Sequence, residues 1–175
     1  MVEESQLKYW RDAGHVARRT LEAMKLELQP GKTFHEIIES AERFIHRHGG
    51  KPAFPATIAV NDMAAHFTTN HLIDGVDGWD NDNVLSKGDL VKIDFGVHIK
   101  GHIGDNALTM EIGNSNNHTE QIKAAKEARD AAVEMLHPGT PWYKVGQAAA
   151  QPSLDAGFQP IRNLCGHQLK PWELH

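Results

Sequence analysis

The stretch Val91-Lys92-Ile93-Asp94-Phe95-Gly96-Val97-His98-Ile99-Lys100-Gly101-His102-Ile103-Gly104-Asp105-Asn106-Ala107-Leu108-Thr109 decides how the rest of the chain is read. β-branched and aromatic residues fill its first half and Lys100-Gly101 sits at the bend, so it predicts two strands joined by a tight turn. Each strand carries one aspartate. With the turn centred between Ile99 and Lys100, Asp94 faces Asp105 directly across the ladder. With the turn one residue later they become a diagonal pair. Both placements put them on one face, because strand side chains have period two. Like charges so placed destabilise a sheet unless something neutralises them, and a divalent cation is the natural candidate. Taken singly, each aspartate is an ordinary exposed strand residue. Their shared face inside an otherwise apolar hairpin sets them apart.

Working outward, 175 residues suffice for a single domain, 1–175, with a real core. The net charge of −5 comes with no dominant basic cluster, which argues against specific nucleic-acid binding. One cysteine, Cys165, excludes an intrachain disulfide and fits a reducing, cytoplasmic setting. It reads as a small core residue, with nothing nearby to activate it. No apolar run approaches the roughly 18 residues of a membrane span, and the acidic Met1-Val2-Glu3-Glu4-Ser5 start has no signal-peptide character. Of the 12 histidines, His15, His46 and His48 lie among charged residues and read as solvated. His98 and His102, flanking the bend, read the same way, with the alternative that one of them donates to a metal-binding carboxylate.

Apolar spacing predicts a helix from about residue 4 to 28, with Ser5 as its cap and Gln29-Pro30-Gly31 as its stop. Thr33 and Glu36 form a capping box for a second helix, which ends near His48-Gly49-Gly50. An extended segment follows through Pro52 and Pro55, then a short strand, Thr57-Ile58-Ala59-Val60. Residues 74–83 and 113–118 read as polar loops. A third helix, capped by Thr119, carries Ile122, Ala125, Ala128, Ala132, Val133 and Leu136 on its apolar side and stops at His137-Pro138-Gly139. A fourth runs from about Trp142 to Ala156. The order helix, Pro-Gly stop, helix, glycine end, extended segment thus occurs twice. It predicts a duplicated fold, with a first repeat over about 1–112 and a partial second repeat over about 119–175 that lacks its own hairpin.

The chemistry follows from donor types. Divalent cations take carboxylate oxygens, and borderline ones also take imidazole. His167 lies on the extended segment after the fourth helix, and pseudo-twofold packing of the repeats would carry it toward the hairpin. Two ions about 3.5–4 Å apart would hold a hydroxide at neutral pH that attacks a carbonyl. His66 and His175 could then stabilise the oxyanion or hold the leaving group. A lone His167 is more often structural than a ligand, and His66 alone could be a plain loop residue.

Four stretches resemble one family: Ala53-Phe54-Pro55; Asn61 through Thr68; Gly88 through His98 with Gly101 through Asp105; and Asn163 through His175. Together they are similar to the archaeal-style type 2 methionine aminopeptidases, of the pita-bread fold. The resemblance implies an α+β fold with a pseudo-twofold repeat and an incomplete second half. It implies metal-dependent removal of the initiator methionine from nascent polypeptides, with the ribosome as a possible partner and no membrane. It implies a dinuclear site for cobalt, manganese, iron or zinc. Asp94 would chelate one ion, Asp105 bridge both and His167 bind the second. His66 and His175 would contact substrate, and Phe54 with Leu174 would line the methionine pocket. Phe67-Thr68-Thr69 and Pro171 depart from the family pattern. The family's two glutamate ligands fall beyond residue 175, so the expectation is a truncated chain, with activity on its own in doubt. A non-catalytic pita-bread binding protein and an Xaa-Pro dipeptidase-like exopeptidase are the alternative readings.

Overall fold

The alternation Val91, Ile93, Phe95, Val97 gives one strand an unbroken apolar edge, and that strand organises the sheet. A computed structural model describes residues 4–69, 83–113 and 115–175. Most of the polar loop expected over 74–83, part of that over 113–118 and the first three residues therefore lie outside the described residues. The elements, in order, are α1 (Glu4–Glu27), α2 (Phe34–Arg47), β1 (Lys51–Pro52), β2 (Thr57–Val60), β3 (Leu90–Ile99), β4 (His102–Glu111), α3 (Thr119–Met135) and α4 (Trp142–Asp155).

These elements form two units, Met1–Ser115 with His167–His175, and Asn116–Gly166. In the first, β3 is the central strand. β4 pairs along one edge of it, and β2 and then β1 pair along the other, all antiparallel. Val91, Ile93, Phe95 and Val97 are fully buried on one face, with Val16, Ala17, Met24, Ile37, Ile38, Ala41 and Ile45 from the two helices. Period two sends Lys92, Asp94, Gly96 and His98 to the other face. The burial pattern of β3 keeps Lys92 and Asp94 half-buried between buried neighbours, with His98 half-buried between buried Val97 and half-buried Ile99. The fold therefore spends one face of the hairpin on the core and leaves its aspartates on the other.

Helix α2 starts as its sequence predicts. Glu36 N–H donates to Thr33 Oγ1 at 3.1 Å and Thr33 N–H donates to Glu36 Oε2 at 2.9 Å, a reciprocal capping box. These bonds hold Glu36 below the usual carboxylate range. Replacing Thr33 by Ala is expected to destabilise the chain by about 1 kcal/mol, read as a lower urea midpoint. Two other caps differ from expectation. Ser5 lies inside α1, which is already helical at Glu4, and Thr119 is the first helical residue of α3, with His118 at the cap position.

In the second unit α3 and α4 pack on each other, burying Ala124, Val145 and Ser153. The apolar side expected for α3 is not fully covered: Val133 is 60 % exposed and Leu136 51 %. Ala125, Ala128, Ala132 and Leu136 line an open groove shared with Val145 and Ala149 of α4. Cys165 is exposed, not a core residue as its size and polarity suggested. The glycines that follow the helices share a backbone conformation: φ is +88° at Gly31 and Gly139, +83° at Gly49 and +82° at Gly157. Among the described residues no helix is long and apolar enough to cross a membrane.

Candidate functional site

The turn sets the geometry of the hairpin. Lys100 and Gly101 both have positive φ, +50° and +84°, so they are the two central residues of a primed two-residue turn whose twist matches the strands. Ile99 then pairs with His102, Asp94 with Ala107, and Asp105 with Gly96. The aspartates are therefore a diagonal pair on one face, not directly opposed. The two residues of the turn, Lys100 and Gly101, place its centre one residue later than the directly opposed register requires.

Gly96, opposite Asp105, has no room for a side chain: a Cβ there would run into the Phe54 ring and Ala53 Cβ. Phe54 is held over this point because Ala53 N–H donates to the Gly96 carbonyl at 2.9 Å. Phe54 thus lies over Gly96, the residue paired with Asp105, on the segment that follows β1.

The carboxylates sit where charge is costly. Asp94 is half-buried, and its Oδ1 is fully shielded without a hydrogen-bond partner among the described residues. Burial, and then the charge of Asp105, push its carboxyl up to about 6, against the opposing pull of His66 and His167. Burial also raises Asp105, while His167, the Asn106 backbone N–H and His175 draw it back. Low dielectric and a like charge both disfavour ionisation. The site is thus an acidic pair short of positive charge.

Three histidines reach this pair from two segments. His167 Nε2 lies 3.5 Å from Asp105 Oδ2, with side-chain exposures of 35 % and 28 %. The His175 ring is 5.3 Å from that of His167. His66 comes from the loop after β2, exposed and at φ +66°. That loop is tied back where Ile58 N–H donates to Phe67 O at 2.8 Å and Phe67 packs edge-on against Phe34. Leu174 is half-buried beside His175. The donors, two carboxylates and an imidazole around an orphaned oxygen, are of the type that a divalent cation fits. As they stand, no three His, Cys, Asp or Glu side chains among the described residues are close enough together to enclose an ion.

Two features escaped the sequence. His102 is 5 % exposed, not solvated: Tyr9 and Trp10 of α1 pack their rings 5.3 and 5.2 Å from it. Its even-numbered place on β4 opposite Ile99, on the core face, was the available signal. Trp172 packs against His98 with ring centres 5.1 Å apart and donates its backbone N–H to Gly101 O at 2.9 Å. Nothing local to Lys170-Pro171-Trp172-Glu173 announces that long-range contact.

The family model of metallopeptidase family M24 matches residues 8–175. A methionine aminopeptidase of Archaeoglobus fulgidus is 37 % identical over 164 residues, which is 94 % of this chain and 53 % of that protein. The chain thus spans about half the length of curated relatives such as this one. Among solved structures, methionine aminopeptidase from Thermotoga maritima superposes with a TM-score of 0.87 at 23 % identity, covering 99 % of this chain and 69 % of that one. At that identity the likeness speaks for the fold alone. The prolidase from Pyrococcus horikoshii superposes with a TM-score of 0.81 at 26 % identity, covering 99 % of this chain and 48 % of that one.

Proposed function

Because the chain belongs to metallopeptidase family M24 and has the α+β pita-bread fold, we propose that it serves the metal-dependent removal of N-terminal methionine from nascent polypeptides. The observation that carries this reading is the half-buried Asp94–Asp105 pair, short of positive charge, with His167 Nε2 3.5 Å from Asp105. Asp94, Asp105 and His167 would hold the metal, with Asp105 shared between two ions in the complete site. Cobalt, manganese, iron and zinc all suit these donors. When bound, the metal supplies a water ionised at neutral pH as the nucleophile.

The remaining steps belong to the chain's own groups. Phe54, fixed over Gly96, and Leu174 would wall the pocket for an unbranched thioether side chain, which adapts well to aromatic surfaces. His66 and His175 approach the carboxylates from opposite segments. Each has a ring N–H to offer the scissile carbonyl or the departing amine, which stabilises charge as it develops. The cytoplasm, where nascent chains leave the ribosome, is the setting this reading requires.

The assay compares Met-Ala-Ser with Ala-Pro peptides in the presence of cobalt or manganese. Release of methionine in preference to cleavage before proline is the expected result. Preferred cleavage of Ala-Pro would support the proline-peptide reading that the prolidase likeness keeps open. A chain that takes up no ion and cleaves neither peptide would overturn the proposal.

A further inference from the structure

The segment that carries His167 and His175 is tied to the hairpin bend by the backbone of Trp172, whose N–H donates to Gly101 O. Lys170-Pro171-Trp172-Glu173 closes on itself: Lys170 N–H donates to Glu173 O at 3.0 Å and Glu173 N–H donates to Lys170 O at 3.1 Å. Lys170 Nζ also reaches Glu173 Oε1 at 2.7 Å. Pro171 takes the second position of this turn, which its ring favours. Trp172 takes the third, at φ +67°. That conformation belongs to Gly or Asn, and a bulky aromatic there is a genuine outlier. Such a residue persists only where its surroundings hold it.

The surroundings are the bend of the hairpin. Trp172 N–H donates to Gly101 O at 2.9 Å, and the indole lies so close over Gly101 that a Cβ there would sit 2.5 Å from two of its atoms. The indole also packs against His98, whose Nδ1 accepts from Gly101 N–H at 3.3 Å. Gly101 is therefore glycine twice over, for its φ of +84° and for the ring above it. Trp172 is otherwise 74 % exposed. Its contacts with the bend are therefore what hold it in an unfavourable backbone state.

We propose that Trp172 is a positioning residue: its indole, seated on Gly101 and His98, clamps the His167–His175 segment to the tip of the β3–β4 hairpin and so sets both histidines beside Asp94 and Asp105. The clamp works through geometry. The two aspartates are fixed within the hairpin, whereas the histidines are brought to them only by this segment. Four residues lie between His167 and Trp172 and two between Trp172 and His175, so freeing the tryptophan frees both. The consequence for ion binding rests on the metal-site reading above; the clamp itself does not.

Three variants separate the ring from the backbone. Trp172→Gly suits the positive φ but removes the ring, Trp172→Ala loses both, and Trp172→Phe keeps an aromatic face. The metal-free chain is read first, by amide hydrogen exchange at residues 167–175 and by the imidazole NMR signals of His167 and His175. In Trp172→Gly and Trp172→Ala, exchange in this segment is expected to rise at least tenfold and both imidazole signals to move toward free-histidine positions. Protection of the β3 and β4 amides should stay unchanged. Trp172→Phe should restore most of the native pattern. Cobalt affinity by calorimetry is read second, with a loss of about tenfold or more in the Gly variant and rescue by Phe. Unchanged exchange and histidine signals in Trp172→Gly would overturn the clamp. If the native chain binds no cobalt, the metal reading fails while the metal-free readings still decide the clamp. Loss of protection throughout β3 and β4 would also overturn it, by showing that Trp172 stabilises the sheet as a whole.

Discussion

Replacing Asp94 by Asn is expected to abolish ion uptake while making the metal-free chain more stable. A neutral amide offers one weak oxygen where a carboxylate offers a full charge. The loss of affinity should exceed the roughly 10–100-fold that follows when only an outer partner of a ligand is removed. The gain in stability has a separate origin. In the folded metal-free chain the Asp94 carboxyl is pushed up to about 6 by burial and by Asp105. The folded state therefore holds a proton that the unfolded state has released. Its contribution is present below the ordinary carboxylate value and is lost as pH rises through about 6. At pH 7 the charged group is a net cost. Removing that charge should recover about 1 kcal/mol after allowance for solvent screening of a half-buried group. Calorimetry with manganese or cobalt measures the first effect, and urea unfolding at pH 5 and pH 7 the second. The native metal-free chain should lose stability between those two conditions by more than the variant does. Full retention of ion uptake by Asp94→Asn would remove Asp94 from the proposed ligand set.

Replacing Phe95 by Ala should be the most damaging single change in the first unit. Phe95 is fully buried and belongs to the cluster with Met24, Leu28, Ile37 and Ile38. Truncating a buried phenylalanine costs about 3–5 kcal/mol, from lost transfer energy and from the cavity left behind. Against a total stability of about 5–15 kcal/mol, that leaves a marginal or unfolded chain. The effect reaches the acidic face because Phe95 sits between Asp94 and Gly96 on the same strand, with its side chain on the opposite side of the sheet. Loosening one face loosens the register that puts Asp94 and Asp105 together on the other. A urea midpoint close to that of the native chain would mean that the core around β3 is looser than its burial implies.

These two changes act on opposite faces of one strand, and the division between the faces is the part of the molecule most open to sequence reading. The alternation from Val91 to Ile99 identifies the strand, and Lys100-Gly101 identifies the bend. The Thr33–Glu36 capping box was readable because both partners lie within one helical turn. Reading failed wherever the decisive neighbour was distant in sequence. His102 looked solvated beside Lys100, but the rings of Tyr9 and Trp10 enclose it. Cys165 looked like a core residue and is exposed. Val133 and Leu136 fit a helical apolar side, but periodicity does not say how much of that side a neighbour covers.

What the sequence by itself determined is the local frame: a hairpin with its aspartates on one face, the Thr33 cap, and the family to which the chain belongs. Short-range rules suffice for the frame, since strand period, turn chemistry and capping act between residues close along the chain. Tertiary structure alone decided that the aspartates are diagonal partners, that Asp94 is shielded enough to hold its proton to about 6, and that His167 comes within 3.5 Å of Asp105. It also decided that Trp172 rests on Gly101. Those outcomes depend on which surfaces exclude water from one another, and segments far apart in sequence settle that only when they pack.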